Sequence, residues 1–107
     1  MAAEQATALT VSDHWDGAVV IAVVEGEIDI VTVDSLTVRL RQLAQMNPQR
    51  LVIDLAGVSL IDSTGLGGLV RFRNQLEPDC QVVLRSTRRG VRRVFKVAGL
   101  DSVFDFE

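Results

Sequence analysis

Apolar residues along the chain occur either in short runs typical of buried strands or at spacings typical of helices. Residues 9–14 and 19–25 predict two strands separated by Asp16-Gly17, a pair that favours a β-hairpin. The second strand is almost wholly apolar, which is typical of a strand covered on both faces. The residues that follow, 25–29, are mostly polar and predict a loop.

The rest of the chain alternates between helical and strand patterns. Apolar residues at helical spacing predict helices over residues 33–43, 66–76 and 91–98. Each helix is followed by a residue or pair that stops it: Asn47-Pro48 after the first, Pro78 after the second and Gly99 after the third. Strands are predicted at residues 51–55, 81–85 and 103–106. This ββαβαβαβ order predicts an α/β fold, in which a mixed, mostly parallel sheet of about five strands is covered by three to four helices.

Length and composition indicate one domain. The chain has 107 residues, of which 48% are hydrophobic, and it contains no linker or repeat. We expect a single domain over residues 1–107, with residues 1–6 as a disordered tail. No apolar run reaches the roughly 18 residues of a membrane span, and residues 1–5 lack the basic region of a signal peptide. We therefore expect a soluble cytoplasmic protein with no membrane partner, and we interpret the single cysteine, Cys80, as an apolar filler beside a strand.

The net charge of −3 conceals an uneven distribution of charged residues. Acidic residues dominate up to Asp62, whereas one later segment is basic and contains Arg85, Arg88, Arg89, Arg92, Arg93 and Lys96. A domain with a pI of about 5.1 is a poor candidate for nucleic-acid binding. We therefore predict no direct nucleic-acid partner, and we interpret the basic cluster as a solvated helix face or a partner contact.

Enzymatic motifs are weak in this sequence. The only histidine, His14, lies in a predicted edge strand, with no second histidine or nearby cysteine to complete a zinc site. A Ser-His-Asp triad is compatible with the composition, but Ser63 lacks the G-x-S-x-G motif that presents a nucleophile. Residues 65–70 have valine where the third glycine of G-x-G-x-x-G belongs, and no G-K-[ST] follows. We predict no catalytic residue, no metal and no cofactor, and we expect the glycines to let a helix approach the sheet closely.

Residues 54–68 are the most informative stretch, because they run from the end of a strand into the first turn of a helix. Two adjacent hydroxyl residues, Ser63 and Thr64, lie at that turn directly after Asp62. A helix N-terminus has unpaired N–H groups and a partial positive charge, so it favours an anion. The residues alone leave two interpretations open: the turn is an ordinary helix cap, or a hydroxyl there accepts a phosphate.

Three blocks in a fixed order carry a resemblance to a known family. They are Gly26–Asp29 ahead of a helix, residues 51–67 with the turn Asp62-Ser63-Thr64-Gly65, and residues 88–100. From about residue 19 to residue 106, roughly four-fifths of the chain, the sequence resembles the STAS-domain anti-sigma factor antagonists of bacteria.

The resemblance implies a function as a partner switch. In that family the unmodified antagonist binds an anti-sigma factor that is also a serine kinase, and binding releases the sigma factor. The kinase then phosphorylates the antagonist, the two proteins separate, and a serine phosphatase resets the system. For this chain the resemblance implies Ser63 as the phosphorylated residue and Thr64 as a minor alternative. It also implies a partner-binding surface made of Glu27, Asp29, Asp62, Ser63, Thr64, Gly65, Leu66 and Gly67.

Two other functions stay open on the sequence. STAS-like domains also serve as scaffolds of signalling complexes or as non-catalytic subunits of lipid-transport ATPases, and such a protein would bind its partner regardless of phosphate. A protein that binds nucleotide at the turn of residues 63–68 is the other alternative.

Overall fold

The computed structural model describes residues 9–107, which form one mixed sheet and three helices. The strands are β1 (Leu9–Asp16), β2 (Val19–Ile28), β3 (Arg50–Ile61), β4 (Gln81–Arg85) and β5 (Asp105–Phe106), and the helices are α1 (Val33–Ala44), α2 (Ser63–Asn74) and α3 (Arg89–Val97). The strand order is β1-β2-β3-β4-β5, with β1 antiparallel to β2 and every other pair parallel. The predicted fold class is therefore confirmed. The tail predicted over residues 1–6 lies outside the described residues.

Strands β1 and β2 form the predicted hairpin at Asp16-Gly17. Gly17 has a φ of 62°, a backbone conformation that glycine adopts without a steric penalty. Strand β1 is the edge of the sheet, and His14 is exposed there, as expected for the end of an edge strand. An ion pair between Arg39 of α1 and Asp13 of β1 connects the first helix to this edge.

The three helices pack on one face of the sheet, which is formed by alternate residues of the strands. Buried side chains of β2, β3 and β4 form a single apolar cluster with the predicted apolar faces of the helices, including Leu36, Leu40, Leu69, Phe72, Val91 and Phe95. At the β5 end, the ring of Phe95 makes edge-to-face contacts with the rings of Phe104 and Phe106, with centroid separations of 5.8 and 5.5 Å. The apolar cluster as a whole holds α2 and α3 in place against the sheet. None of the helices within residues 9–107 is long and apolar enough to cross a membrane.

Strands β2 and β3 are longer than the sequence pattern predicts. Residues 25–28, predicted as part of a loop, continue β2, and residues 56–61 continue β3 beyond its predicted end. Their pairing shifts register between Val23 and Glu25 and again between Gly26 and Glu27, so twelve residues of β3 run beside ten of β2. These bulges interrupt the alternation of buried and exposed positions, which is why the pattern did not indicate a strand there.

The longer strands determine where the chain leaves the sheet. Ile28 and Ile61 are paired at the ends of β2 and β3, and the N–H of Asp62 donates to the carbonyl of Ile28 at 3.1 Å. Asp29 directly follows β2 and Asp62 directly follows β3. The two residues therefore lie at the same end of the sheet, where the carboxyl ends of these parallel strands meet. The carboxyl ends of parallel strands are where α/β proteins usually place their binding sites.

Candidate functional site

The candidate site is the start of α2 together with the loop between β2 and α1. Asp62 lies just before α2 in an extended conformation, and its Oδ1 accepts a hydrogen bond from the N–H of Gly65 at 2.8 Å. Its carbonyl also accepts from the N–H of Leu66 at 2.9 Å. Asp62 is therefore the N-cap of α2, and its negative charge lies at the positive end of the helix.

Loss of this cap gives a first testable result. Asp62→Ala is expected to lower the free energy of unfolding by about 1 kcal/mol, which corresponds to a fall in Tm of about 4–8 °C for a domain of this size. Asp62→Asn is the matched control, because an asparagine side chain caps a helix about as well. Thermal unfolding followed by circular dichroism measures both variants. Equal Tm values for Asp62→Ala and the wild type would contradict the capping role.

Ser63 and Thr64 are the first two residues of α2, and both are exposed. Both hydroxyl groups are thus accessible to an enzyme from outside the domain. A phosphate on Ser63 would lie beside the helix N-terminus, which favours an anion. It would also lie next to the Asp62 carboxylate, which already accepts the N–H of Gly65. The choice of Ser63 over Thr64 as the acceptor stays a prediction.

Gly65 and Leu66 are buried in the first turn of α2. A Cβ atom on Gly65 would come within 2.5 Å of the Ile28 carbonyl oxygen, so only glycine allows α2 to lie this close to the end of β2. Leu66 belongs to the core and is 3% exposed. These two residues therefore position α2, and their role in partner binding stays a prediction.

The neighbouring glycines differ in what they contact. A Cβ atom on Gly68 would come within 2.3 Å of Cγ2 of Val33, so this glycine allows close contact with α1 rather than with the sheet. A Cβ atom on Gly67 would meet only Nη1 of Arg71, at 3.6 Å. The predicted close approach of α2 to the sheet therefore applies to Gly65, and is wrong for Gly67 and Gly68.

Asp29 organises the loop that faces the start of α2. Its Oδ1 accepts from the N–H groups of Val31 and Thr32 at 2.9 and 3.1 Å. The buried hydroxyl of Thr32 accepts from the N–H of Asp29 at 3.0 Å and donates to the carbonyl of Glu27 at 2.7 Å. Asp29 is thus a shape-determining residue of the loop, whereas the side chain of Glu27 is exposed at the end of β2.

Sequence reasoning missed three exposed apolar side chains at this edge of the sheet. Ile30 and Val31, in the loop held by Asp29, are 69% and 80% exposed, and Leu60 of β3 is 44% exposed. Leu60 lies opposite Glu27, directly after the second register shift, and this explains why it is not buried. We call these three residues the apolar rim. The sequence shows two β-branched residues, Ile30 and Val31, in a polar loop, but only the fold shows that they are exposed. Exposed apolar residues of this kind are candidates for contact with a partner.

Other reactive side chains are separate from this site. Among residues 9–107 no group of three or more metal-ligating side chains is present. Cys80 is partly buried in a cleft beside the C-terminal ends of α1 and α2. Burial raises the pKa of its thiol and the charge of Asp79 adds to the rise, while Arg73 opposes it. The thiol is therefore a weak nucleophile at neutral pH.

Comparison with known proteins agrees with the fold. Residues 11–107 match the STAS domain family. The chain is similar to the anti-sigma-F factor antagonist RsfB of Mycobacterium tuberculosis, at 31% identity over 104 residues that cover 97% of this chain and 84% of that protein. It is also similar to the anti-sigma-B factor antagonist of Staphylococcus aureus, at 35% identity over 80 residues that cover 72% of each. A crystal structure of an anti-sigma factor antagonist from Mycobacterium paratuberculosis has a TM-score of 0.79 and 31% identity, covering 92% of this chain and 84% of that one. The chain belongs to the STAS domain family.

Proposed function

We propose that this protein is an anti-sigma factor antagonist controlled by phosphorylation of Ser63. The unphosphorylated form binds an anti-sigma factor that is also a serine kinase, and this binding releases the sigma factor. Support comes from the similar proteins named as antagonists of anti-sigma factors, at 31% and 35% identity. The observation that carries the proposal is an exposed Ser63 at the first position of α2, directly after the Asp62 cap.

The apolar rim and the start of α2 together form the surface that the anti-sigma factor covers. Burial of exposed apolar side chains supplies affinity, at about 25 cal/mol for each Å² removed from water. Ser63, as a small neutral hydroxyl, fits into such an interface and can hydrogen-bond within it. The antagonist itself needs no catalytic residue, because its action is to occupy the anti-sigma factor.

Phosphorylation changes this surface at one atom. The kinase transfers the γ-phosphoryl group of ATP to Oγ of Ser63, the hydroxyl proton leaves, and ADP is released. Hydrolysis by a phosphatase later restores the hydroxyl and releases inorganic phosphate. The phosphate carries about −1.5 to −2 charges at neutral pH. The helix N-terminus tolerates an anion there, stabilising it by about 0.3–1 kcal/mol, so the domain keeps its fold.

In the complex the same phosphate is costly. It would be buried next to the Asp62 carboxylate, and an unpaired buried charge costs several kcal/mol. The phosphorylated form therefore dissociates from the anti-sigma factor without any refolding.

Truncation of the apolar rim tests whether this surface binds the partner. The double variant Ile30→Ala and Val31→Ala is expected to weaken binding of the anti-sigma factor by about tenfold or more, because two exposed apolar side chains contribute about 1 kcal/mol each on burial. Met46→Ala is the matched control, since Met46 is 61% exposed but lies beyond the end of α1. Isothermal titration calorimetry with the purified partner measures the affinities. An equal affinity for the double variant and the wild type would show that the interface does not include Ile30 and Val31.

The phosphorylated residue is identified directly by peptide mass spectrometry of the protein isolated from its native cells. The proposal expects phosphate on Ser63, and expects none on the Ser63→Ala variant expressed in the same cells. Phosphate on another residue alone, or no phosphate under any growth condition, would contradict it.

A further inference from the structure

Helix α3 concentrates positive charge on an otherwise acidic protein. Residues 88–96 include five cations and no acid, although the chain as a whole has a net charge of −3. The remaining residues therefore carry a net charge of −8. A charge separation of this size within one small domain creates a local positive potential that opposes the field of the rest of the molecule.

Two of the five cations make contacts within the domain. Nε of Arg88 donates to the carbonyl of Ala56 at 2.8 Å, and the guanidinium of Arg92 lies 3.8 Å from the centre of the Phe106 ring. The other three are Arg89, Arg93 and Lys96. Their spacing of four and three residues aligns them along the helix face opposite the buried Val91 and Phe95. We call Arg89, Arg93 and Lys96 the α3 stripe.

Two cations of the α3 stripe are unfavourable for the helix that carries them, whereas Lys96 lies in the last turn, where a cation is favourable. Arg89 is the first residue of α3, where the helix dipole is positive, and it lies four residues before another cation, Arg93. Among residues 9–107 the ion pairs are Arg39–Asp13, Arg50–Glu107 and Arg85–Asp54, so no carboxylate of the described chain neutralises the stripe. Neutral polar residues would solvate this face without the repulsion. The stripe is therefore explained by binding to a negative group rather than by folding.

The size of the stripe indicates what kind of anion fits. A helix of nine residues is about 13 Å long, and the side chains of Arg89, Arg92, Arg93, Lys96 and Val97 lie together on its exposed side. Val97 is 78% exposed and adds an apolar contact at the end of the stripe. A nucleic acid or a lipid surface would extend past this short stripe onto the acidic remainder of the domain, whereas a short acidic helix would not.

We infer that the α3 stripe docks an acidic helical segment of a partner protein. Carboxylates of that segment, spaced four and three residues apart, face Arg89, Arg93 and Lys96, and one of its apolar side chains covers Val97. This surface does not depend on the proposed role of Ser63, because no residue of the α3 stripe belongs to the candidate site at α2.

Fluorescence anisotropy tests the inference with a labelled amphipathic peptide that carries glutamates at the matching spacing. The wild type is expected to bind it in a saturable manner and to bind a scrambled peptide of the same composition more weakly. The triple variant Arg89→Gln, Arg93→Gln and Lys96→Gln is expected to lose about tenfold in affinity, as three surface ion pairs imply. The triple variant Arg41→Gln, Arg71→Gln and Arg73→Gln, which removes the same charge from α1 and α2, is expected to stay within about twofold of the wild type.

Several results would overturn the inference. They are a lack of saturable peptide binding, equal binding of the scrambled peptide, and equal losses in the two triple variants. Tighter stripe-dependent binding of duplex DNA or of phosphatidylglycerol vesicles would assign the surface to a nucleic acid or a membrane instead. The Tm of the stripe variant is expected to equal or exceed that of the wild type, and a lower Tm than that of the control variant would assign the stripe to folding.

Discussion

Ser63→Asp is expected to weaken binding of the anti-sigma factor by two to three orders of magnitude, whereas Ser63→Ala is expected to bind as tightly as the wild type. The reason is the position of the side chain: it is exposed at the first residue of α2, directly after Asp62. A carboxylate buried there without a partner costs several kcal/mol, and a loss of about 3–4 kcal/mol is two to three decades in Kd. A pull-down from the native cell lysate with wild-type, Ser63→Ala and Ser63→Asp baits measures the difference and identifies the partner.

Stability of the Ser63 variants separates a local effect from unfolding. An acidic residue in the first turn of a helix is stabilising by about 0.3–1 kcal/mol, so the Tm of Ser63→Asp is expected to equal or slightly exceed that of the wild type. Thr64→Ala is the control at the adjacent hydroxyl, and it is expected to leave both binding and phosphorylation of Ser63 intact. Capture of the same ATPase or scaffold by all three baits would contradict the switch. It would show that Ser63 only begins the helix and that the protein is a constitutive subunit.

Gly65→Ala is expected to destabilise the domain, although alanine is normally the better helix former. The new Cβ atom would lie 2.5 Å from the carbonyl oxygen of Ile28, an atom of the sheet backbone that has little freedom to move. Overpacking of this kind typically costs about 1–3 kcal/mol. Relief requires that the start of α2 moves away from β2, which would displace Ser63 as well. Chemical denaturation, followed by circular dichroism, measures the change in the free energy of unfolding.

Gly67→Ala is the matched control for this prediction, because it lies in the same helix two residues later. Its Cβ atom would meet only the flexible end of Arg71, at 3.6 Å. The substitution is therefore expected to stabilise the domain by up to about 1 kcal/mol through helix propensity. The two variants should thus shift stability in opposite directions. A Gly65→Ala protein as stable as Gly67→Ala would show that α2 does not approach β2 as closely as described.

The sequence predicts those parts of the fold in which the local pattern of apolar and turn residues matches the burial of the same residues in the folded domain. The residues Gln81–Arg85 are a short apolar run that became β4 with the predicted boundaries. The hairpin at Asp16-Gly17 and the three helices were likewise visible, because turn chemistry and helical periodicity are local properties. The extension of β3 to Ile61 was not visible, since the register shifts that create it depend on pairing with β2.

The candidate site was predicted only in part, for a similar reason. The turn from Asp62 to Gly65 was identified from its position after a strand and from its resemblance to a family, and the structure shows Asp62 as the helix cap. The apolar rim was missed because residues such as Val31 differ from core valines only in their exposure. Exposure depends on the loop conformation that Asp29 holds, and no local pattern in the sequence encodes it.

The most direct test of the switch compares two forms of the same chain. The anti-sigma factor captured by the wild type is titrated with protein phosphorylated at Ser63, and then with the same preparation after treatment with a phosphatase. Our proposal predicts that removal of the phosphate tightens binding by at least about a hundredfold, because the unpaired buried charge is removed. Equal affinities for the two forms would contradict control by phosphorylation of Ser63.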